Sequence, residues 1–165
     1  MVTIIENNTL YAGAADPNQP SCNVGSASYA LDIPNGGTAV VSGNTMIQGT
    51  ATQNGNMFSY GEEGLTYATN SLVFINNQMQ NTLPNAIGIN DPNGVAVGGN
   101  GNTFASSITT LVNPSSADQL TGTNAGGGGS SSPDGTVSLA PNGGSLMTSA
   151  GTWTWSPAAG GPQCG

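Results

Sequence analysis

The chain has 165 residues and a formal charge of −8, because it contains no Lys, Arg or His and only eight acids. Charged residues make up 5% of it, against about 25% in ordinary soluble domains. This excludes side-chain salt bridges, Ser-His-Asp and Cys-His catalysis, binding to phosphate backbones through counterion release and electrostatic docking to anionic lipid.

Hydrophobic residues still amount to 36% of the chain. They fall in short β-prone runs, none long enough to span a bilayer. Met1 leads directly into Val2-Thr3-Ile4-Ile5 without a basic segment, so the chain reads as a mature or excised piece. Trypsin has nowhere to cut, which suits an exposed extracellular material; a compositional bias within a larger chain accounts for it equally well.

In chain order, one pattern recurs. Thr3-Ile4-Ile5-Glu6-Asn7-Asn8-Thr9-Leu10, Ala39-Val40-Val41-Ser42-Gly43-Asn44-Thr45-Met46, Leu72-Val73-Phe74-Ile75-Asn76-Asn77-Gln78-Met79 and Val97-Gly98-Gly99-Asn100-Gly101-Asn102-Thr103-Phe104 align. Each has a β-prone run, a small or polar step, an Asn, a polar residue and an apolar one. Asn8, Asn44, Asn77 and Asn102 are spaced by 36, 33 and 25 positions. Second apolar runs lie between them at Tyr29–Ile33, Met57–Tyr60 and Ala86–Ile89. The first and last of these close on the turn signals Pro34-Asn35-Gly36-Gly37 and Asp91-Pro92-Asn93-Gly94. No 3.6-residue apolar stripe is sustained. A unit of this length with two or three strands predicts one coil of a β-solenoid. Each recurrent Asn is expected at a corner, in left-handed conformation, with its amide bonded to the Asn of the next coil in a structural ladder.

Residues 1–110 resemble the right-handed parallel β-helix proteins of the pectate-lyase-like superfamily. The four Asn corners and Ser42-Gly43-Asn44-Thr45-Met46-Ile47-Gln48-Gly49 carry the resemblance. Tyr60-Gly61-Glu62-Glu63-Gly64 is similar to segments of large secreted bacterial β-helix proteins. The resemblance implies a fold; it implies little about function, since one solenoid hosts many activities. Lyases of that superfamily generally need a Lys or Arg base, often with calcium, and this chain has neither base.

The remaining residues differ in composition. The organisation expected is parallel β-helix coils over 1–120, a Gly/Ser-rich linker over 121–135 and a small antiparallel β cap or module over 136–165. The strands of that module are expected around Thr136–Ala140, Ser145–Thr148 and Thr152–Trp155, with Trp153 and Trp155 on one face. Cys22 and Cys164 suit a disulfide in an oxidising compartment, within the chain or between protomers; two buried thiols are the other reading.

Several residues are weighed for chemistry. Glu62-Glu63 is the one adjacent acidic pair, and strand neighbours point to opposite faces; a retaining glycosidase needs carboxyls about 5 Å apart. A solvated turn is the plainer reading, and no catalytic residue and no metal ligand is assigned. No cofactor is expected, although Asp16-Pro17-Asn18 and Asp91-Pro92-Asn93 carry oxygens that suit calcium as well as a turn. Tyr60, Tyr67, Trp153 and Trp155 are candidates for a glycan or partner platform. Val2, Thr3, Ile4 and Ile5 are the candidate assembly edge.

The function expected is therefore non-catalytic: an extracellular or cell-surface structural protein, a subunit or segment of a fibre, matrix or surface assembly. Its partners would be copies of itself or neighbouring β modules, with no nucleic acid and no direct membrane insertion. The alternatives are an adhesin or carbohydrate-binding module, and a polysaccharide hydrolase using Glu62 or Glu63.

Overall fold

A computed structural model describes residues 1–18, 24–124, 144–148 and 151–155. The chain is all-β, and its sheets are parallel apart from one hairpin. Among the described residues the single helical turn is a 3-10 turn at Ser115–Ala117.

Three stacks of strands recur in fixed order. The first holds β1 (Val2–Glu6), β4 (Thr38–Ser42), β7 (Ser71–Ile75) and the start of β10 (Val97–Phe104). The second holds β2 (Thr9–Ala12), β5 (Thr45–Gln48), β8 (Gln78–Asn81) and the end of β10. The third holds β3 (Leu31–Ile33), β6 (Asn56–Tyr60), β9 (Ala86–Asn90) and β11 (Ile108–Asn113). After three strands the chain is back beside its own earlier strand, one layer further on. A fifth layer begins with β12 (Asp118–Asn124), parallel to β10.

Register turns the period-two pattern of each strand into columns. Ile5, Val41 and Phe74 face one another across the first stack. Leu10, Met46, Met79 and Phe104 do so across the second, and Leu31, Phe58, Ile89 and Val112 across the third. These columns meet in one apolar core, where the Phe58 and Phe74 rings stack with centroids 6.2 Å apart. A one-residue slip of any strand would turn its core set outward, so burial itself fixes the register.

The corners are unequal. Between the first and second stacks the chain spends two residues, 7–8, 43–44 and 76–77, and inside β10 it turns at Gly101-Asn102. Between the second and third stacks it spends residues 13–30, then 49–55, 82–85 and 105–107. That connection shortens layer by layer while the columns keep their register.

Two expectations change. β12 runs to Asn124, so Thr121–Asn124 are strand and not the start of a linker: Gly122, Thr123 and Asn124 lie beside Asn102, Thr103 and Phe104. Ladder pairing draws on main-chain groups that every residue carries, and a Thr-Gly-Thr-Asn composition hides it. The run Ile108–Asn113 passes without notice in the repeat pattern, yet it completes the third stack as β11. Near the C-terminus, β13 (Gly144–Thr148) and β14 (Gly151–Trp155) form an antiparallel pair. The expected strand at 136–140 and the rest of the expected linker lie outside the described residues.

Candidate functional site: the asparagine ladder and its first edge

Asn8, Asn44, Asn77 and Asn102 stand in one column. The backbone N–H and Nδ2 of Asn8 donate to Asn44 Oδ1 at 3.0 and 3.1 Å. Those of Asn44 donate to Asn77 Oδ1 at 2.9 and 3.0 Å, and those of Asn77 to Asn102 Oδ1 at 3.0 and 3.3 Å. Each later Nδ2 also reaches back to a main-chain carbonyl of the preceding layer: Asn44 to Ile5, Asn77 to Val41 and Asn102 to Phe74. Asn44, Asn77 and Asn102 are buried and Asn8 is exposed. A buried amide without partners costs about 1–3 kcal/mol; here each buried amide is occupied by its neighbours in the stack.

The left-handed residue is not the ladder Asn but the one before it. Asn7 (φ 55°), Gly43 (φ 65°), Asn76 (φ 53°) and Gly101 (φ 68°) take that conformation. Asn and Gly tolerate it best, which leaves the ladder Asn free to turn its amide inward.

A second, shorter polar column lies four positions further on. Gln48 is fully buried; its Nε2 donates to Thr52 Oγ1 at 2.8 Å and to the Asn56 carbonyl at 3.1 Å. Asn81 Nδ2 donates to Gln48 Oε1 at 2.5 Å. The four-segment repeat does not mark this pair. The signal was present: both residues follow a ladder Asn by four positions.

Tyr60 does not belong to a surface platform. It is fully buried, and its hydroxyl donates to the Gly37 carbonyl inside the core. Burial, with the Asp91 carboxylate nearby, pushes the phenol up to about 12. The sequence could not separate this Tyr from an exposed one because all four β6 residues from Met57 to Tyr60 are buried. Tyr67 is half-buried and its hydroxyl lies 3.3 Å from Met1 Sδ. Trp153 and Trp155 both lie in β14, opposite Leu146 and Gly144 in register; their side chains fall outside the described residues. So do Cys22 and Cys164 and their expected disulfide.

Glu62 and Glu63 are exposed in the turn after β6, closed by the Gly64 N–H on the Gly61 carbonyl at 3.0 Å. Glu62 accepts from Ser59 Oγ at 3.0 Å and raises the Tyr29 phenol to about 12 by hydrogen bonding. Asp32, paired in register with Ser59, is held above the usual carboxylate range by partial desolvation and then by Glu62 and Glu63. The fold thus brings Asp32 beside the Glu62-Glu63 pair, from which the sequence separates it. Among the described residues no cluster of three or more such side chains forms a metal-binding set.

The two calcium candidates are turns. Asp16 Oδ1 accepts from the Asn18 N–H at 2.8 Å, and Asp91 Oδ1 from the Asn93 N–H at 3.1 Å. Asp91 is fully buried with no hydrogen-bond partner on Oδ2. Burial raises its pKa, and the amides of Asn93, Val95 and Gly94 draw it part of the way back.

Val2, Thr3, Ile4 and Ile5 form β1, which pairs with β4 along one edge and with no other described strand. Val2 and Ile4 are exposed; Ile5 packs against the core. Glu6, at the end of the strand, is 5% exposed with neither carboxylate oxygen bonded, and desolvation raises its pKa. Comparison with protein-family models, with curated proteins and with solved structures finds no match for this chain.

Proposed function

We propose that the chain winds as a right-handed parallel β-solenoid of the pectate-lyase-like kind and works outside the cytoplasm as a non-catalytic building block of a fibre, matrix or surface assembly. The hand rests on a general rule: parallel crossovers within a sheet are right-handed in about 98% of cases.

One observation carries the functional reading. The buried Asn and Gln amides, at Asn44, Asn77, Asn102, Gln48 and Asn81, are taken up by bonds that tie one layer to the next or close a corner. A catalytic site needs polar groups converging on a place where substrate can sit; here they are spent on the stack.

Electron microscopy of the purified protein at neutral pH tests the reading. Stacked or filamentous particles are the expected outcome. Dispersed monomers at all concentrations, with fast amide exchange across Val2–Glu6, would overturn it.

A further inference from the structure

The outer face of the first stack is covered at one end and open at the other. Val41 and Phe74 point into the core, so Val40, Ser42, Val73 and Ile75 lie on the opposite face. On that face of β1, Val2 and Ile4 are exposed by 37 and 41%. Toward the corner the exposure vanishes. Glu6, Ser42 and Ile75, side by side in register, are exposed by 5, 9 and 0%, and Val40 by 7%. Val40 and Ile75 stand outside the core cluster. An isoleucine on the outside of a sheet loses all contact with water only beneath a further layer of atoms. The connection over 61–70 does not supply that layer: it enters the first stack at the other end of these strands, where Tyr67 meets Met1.

The β13–β14 hairpin has the complementary need. Register sets Leu146 opposite Trp153 and Gly144 opposite Trp155. With a period of two these positions share one face, and Ser145, Thr152 and Thr154 share the other with Met147. One face is apolar and the other is mostly hydroxyl. A hairpin of two strands is marginal by itself and needs an apolar surface to lie on.

We infer that this hairpin lies over the corner end of the first stack of its own chain, with the Leu146, Trp153 and Trp155 face on Val40 and Ile75. The reach is ample. From β12 to β4 there are three strand steps, through β10 and β7, or about 14 Å. Residues 125–143 separate β12 from β13 and can extend about 3.3 Å each. The charges agree as well. No residue from 135 to 165 is acidic, so this segment takes Glu6 out of water without setting a second carboxylate beside it. Two indoles and a leucine laid on a valine and an isoleucine bury apolar surface on both partners. The tryptophans are then a cover on the solenoid wall and not an open platform for glycan.

Trp153 and Trp155 are the two tryptophans of the chain, so indole fluorescence of the full-length protein reports on the hairpin alone. Blue-shifted emission, weakly quenched by acrylamide and unchanged on dilution, is the expected result. Val40→Thr and Ile75→Thr should each shift the emission to the red and raise quenching several-fold. Ile47→Thr, on the outer face of the second stack, should leave both unchanged. Far-UV dichroism checks that each variant keeps its sheets; Val40→Thr, nearly the same shape, carries the test if Ile75→Thr does not fold. Water-like emission from the folded wild type would overturn the inference. So would indifference to both substitutions in folded protein, or an equal response to Ile47→Thr. Emission that turns water-like on dilution would place the hairpin on a second copy and overturn the cover within one chain.

Discussion

The Oδ1 of Asn76 occupies the place where a Cβ on Gly101 would have to sit, and Asn7 stands in the same relation to Gly43. The left-handed column is thus read Asn, Gly, Asn, Gly from layer to layer. Each Asn side chain fills the space that the glycine beneath it leaves.

Gly101→Ala should then cost about 2–4 kcal/mol, from the left-handed strain on an L residue and from the crowding of Asn76. Adding Asn76→Gly removes the crowding but not the strain. In a double-mutant cycle by chemical denaturation the two changes should couple favourably by about 1 kcal/mol. Simple additivity would mean that strain alone sets the cost.

The ladder should be graded along its length. Asn77→Ala removes the Oδ1 that takes the Asn44 N–H and Nδ2 and the Nδ2 that reaches Asn102 Oδ1 and the Val41 carbonyl, while its backbone N–H can still reach Asn102, so a loss of about 3 kcal/mol is expected, chiefly from the buried Asn44 N–H left without its partner. Asn8→Ala, at the exposed end, should cost roughly 1 kcal/mol in the monomer. Equal losses at both positions would show that burial along the column does not set the energy.

Tyr60→Phe removes the buried hydroxyl bond to the Gly37 carbonyl, which keeps the Ser71 N–H, and should lower stability by about 1 kcal/mol, with no effect on any glycan binding. In an alkaline absorbance titration of the wild type, Tyr60 and Tyr29, both pushed up to about 12, should ionise last. Full phenolate absorbance by pH 11 in a still-folded sample would contradict this.

Acid should stabilise the molecule before it harms it. Burial raises the carboxyls of Glu6, Asp91 and Asp118 above their ordinary values. Between the unfolded and the folded pKa the native state holds more protons, so stability falls as pH rises through that window. Below the ordinary values of 4.5 for Glu and 3.8 for Asp the penalty is gone. The Tm should therefore climb as pH drops from 7 toward 4. Glu6→Gln should raise it at pH 7 and have much less effect at pH 4. A steady fall in Tm over the same range would mean that these carboxylates are well bonded when ionised.

Much of the architecture can be read from residues alone because it depends on repetition. Four Asn at comparable offsets, each preceded by a β-prone run, locate the first two stacks, and Met57–Tyr60 and Ala86–Ile89 locate the third. The left-handed role is displaced by one residue because Asn at either corner position looks plausible alone; only the Gly at 43 and 101 marks the correct column. Gln48 and Asn81 escape because Ala12 and not an amide holds the equivalent place in the first layer. Tyr60 and the Asp32, Glu62 and Glu63 group depend on which stack faces which, and no spacing along the chain encodes that.

The two-residue corner is held to length by the amide column, whereas the connection between the second and third stacks runs from residues 13–30 down to 105–107 without disturbing the layers it joins. Added loop length costs little entropy once its ends are fixed. A foreign peptide spliced into 13–30 or 49–55 would be displayed from a frame that registers itself elsewhere, which makes this chain a scaffold whose cargo and chassis are specified by different corners.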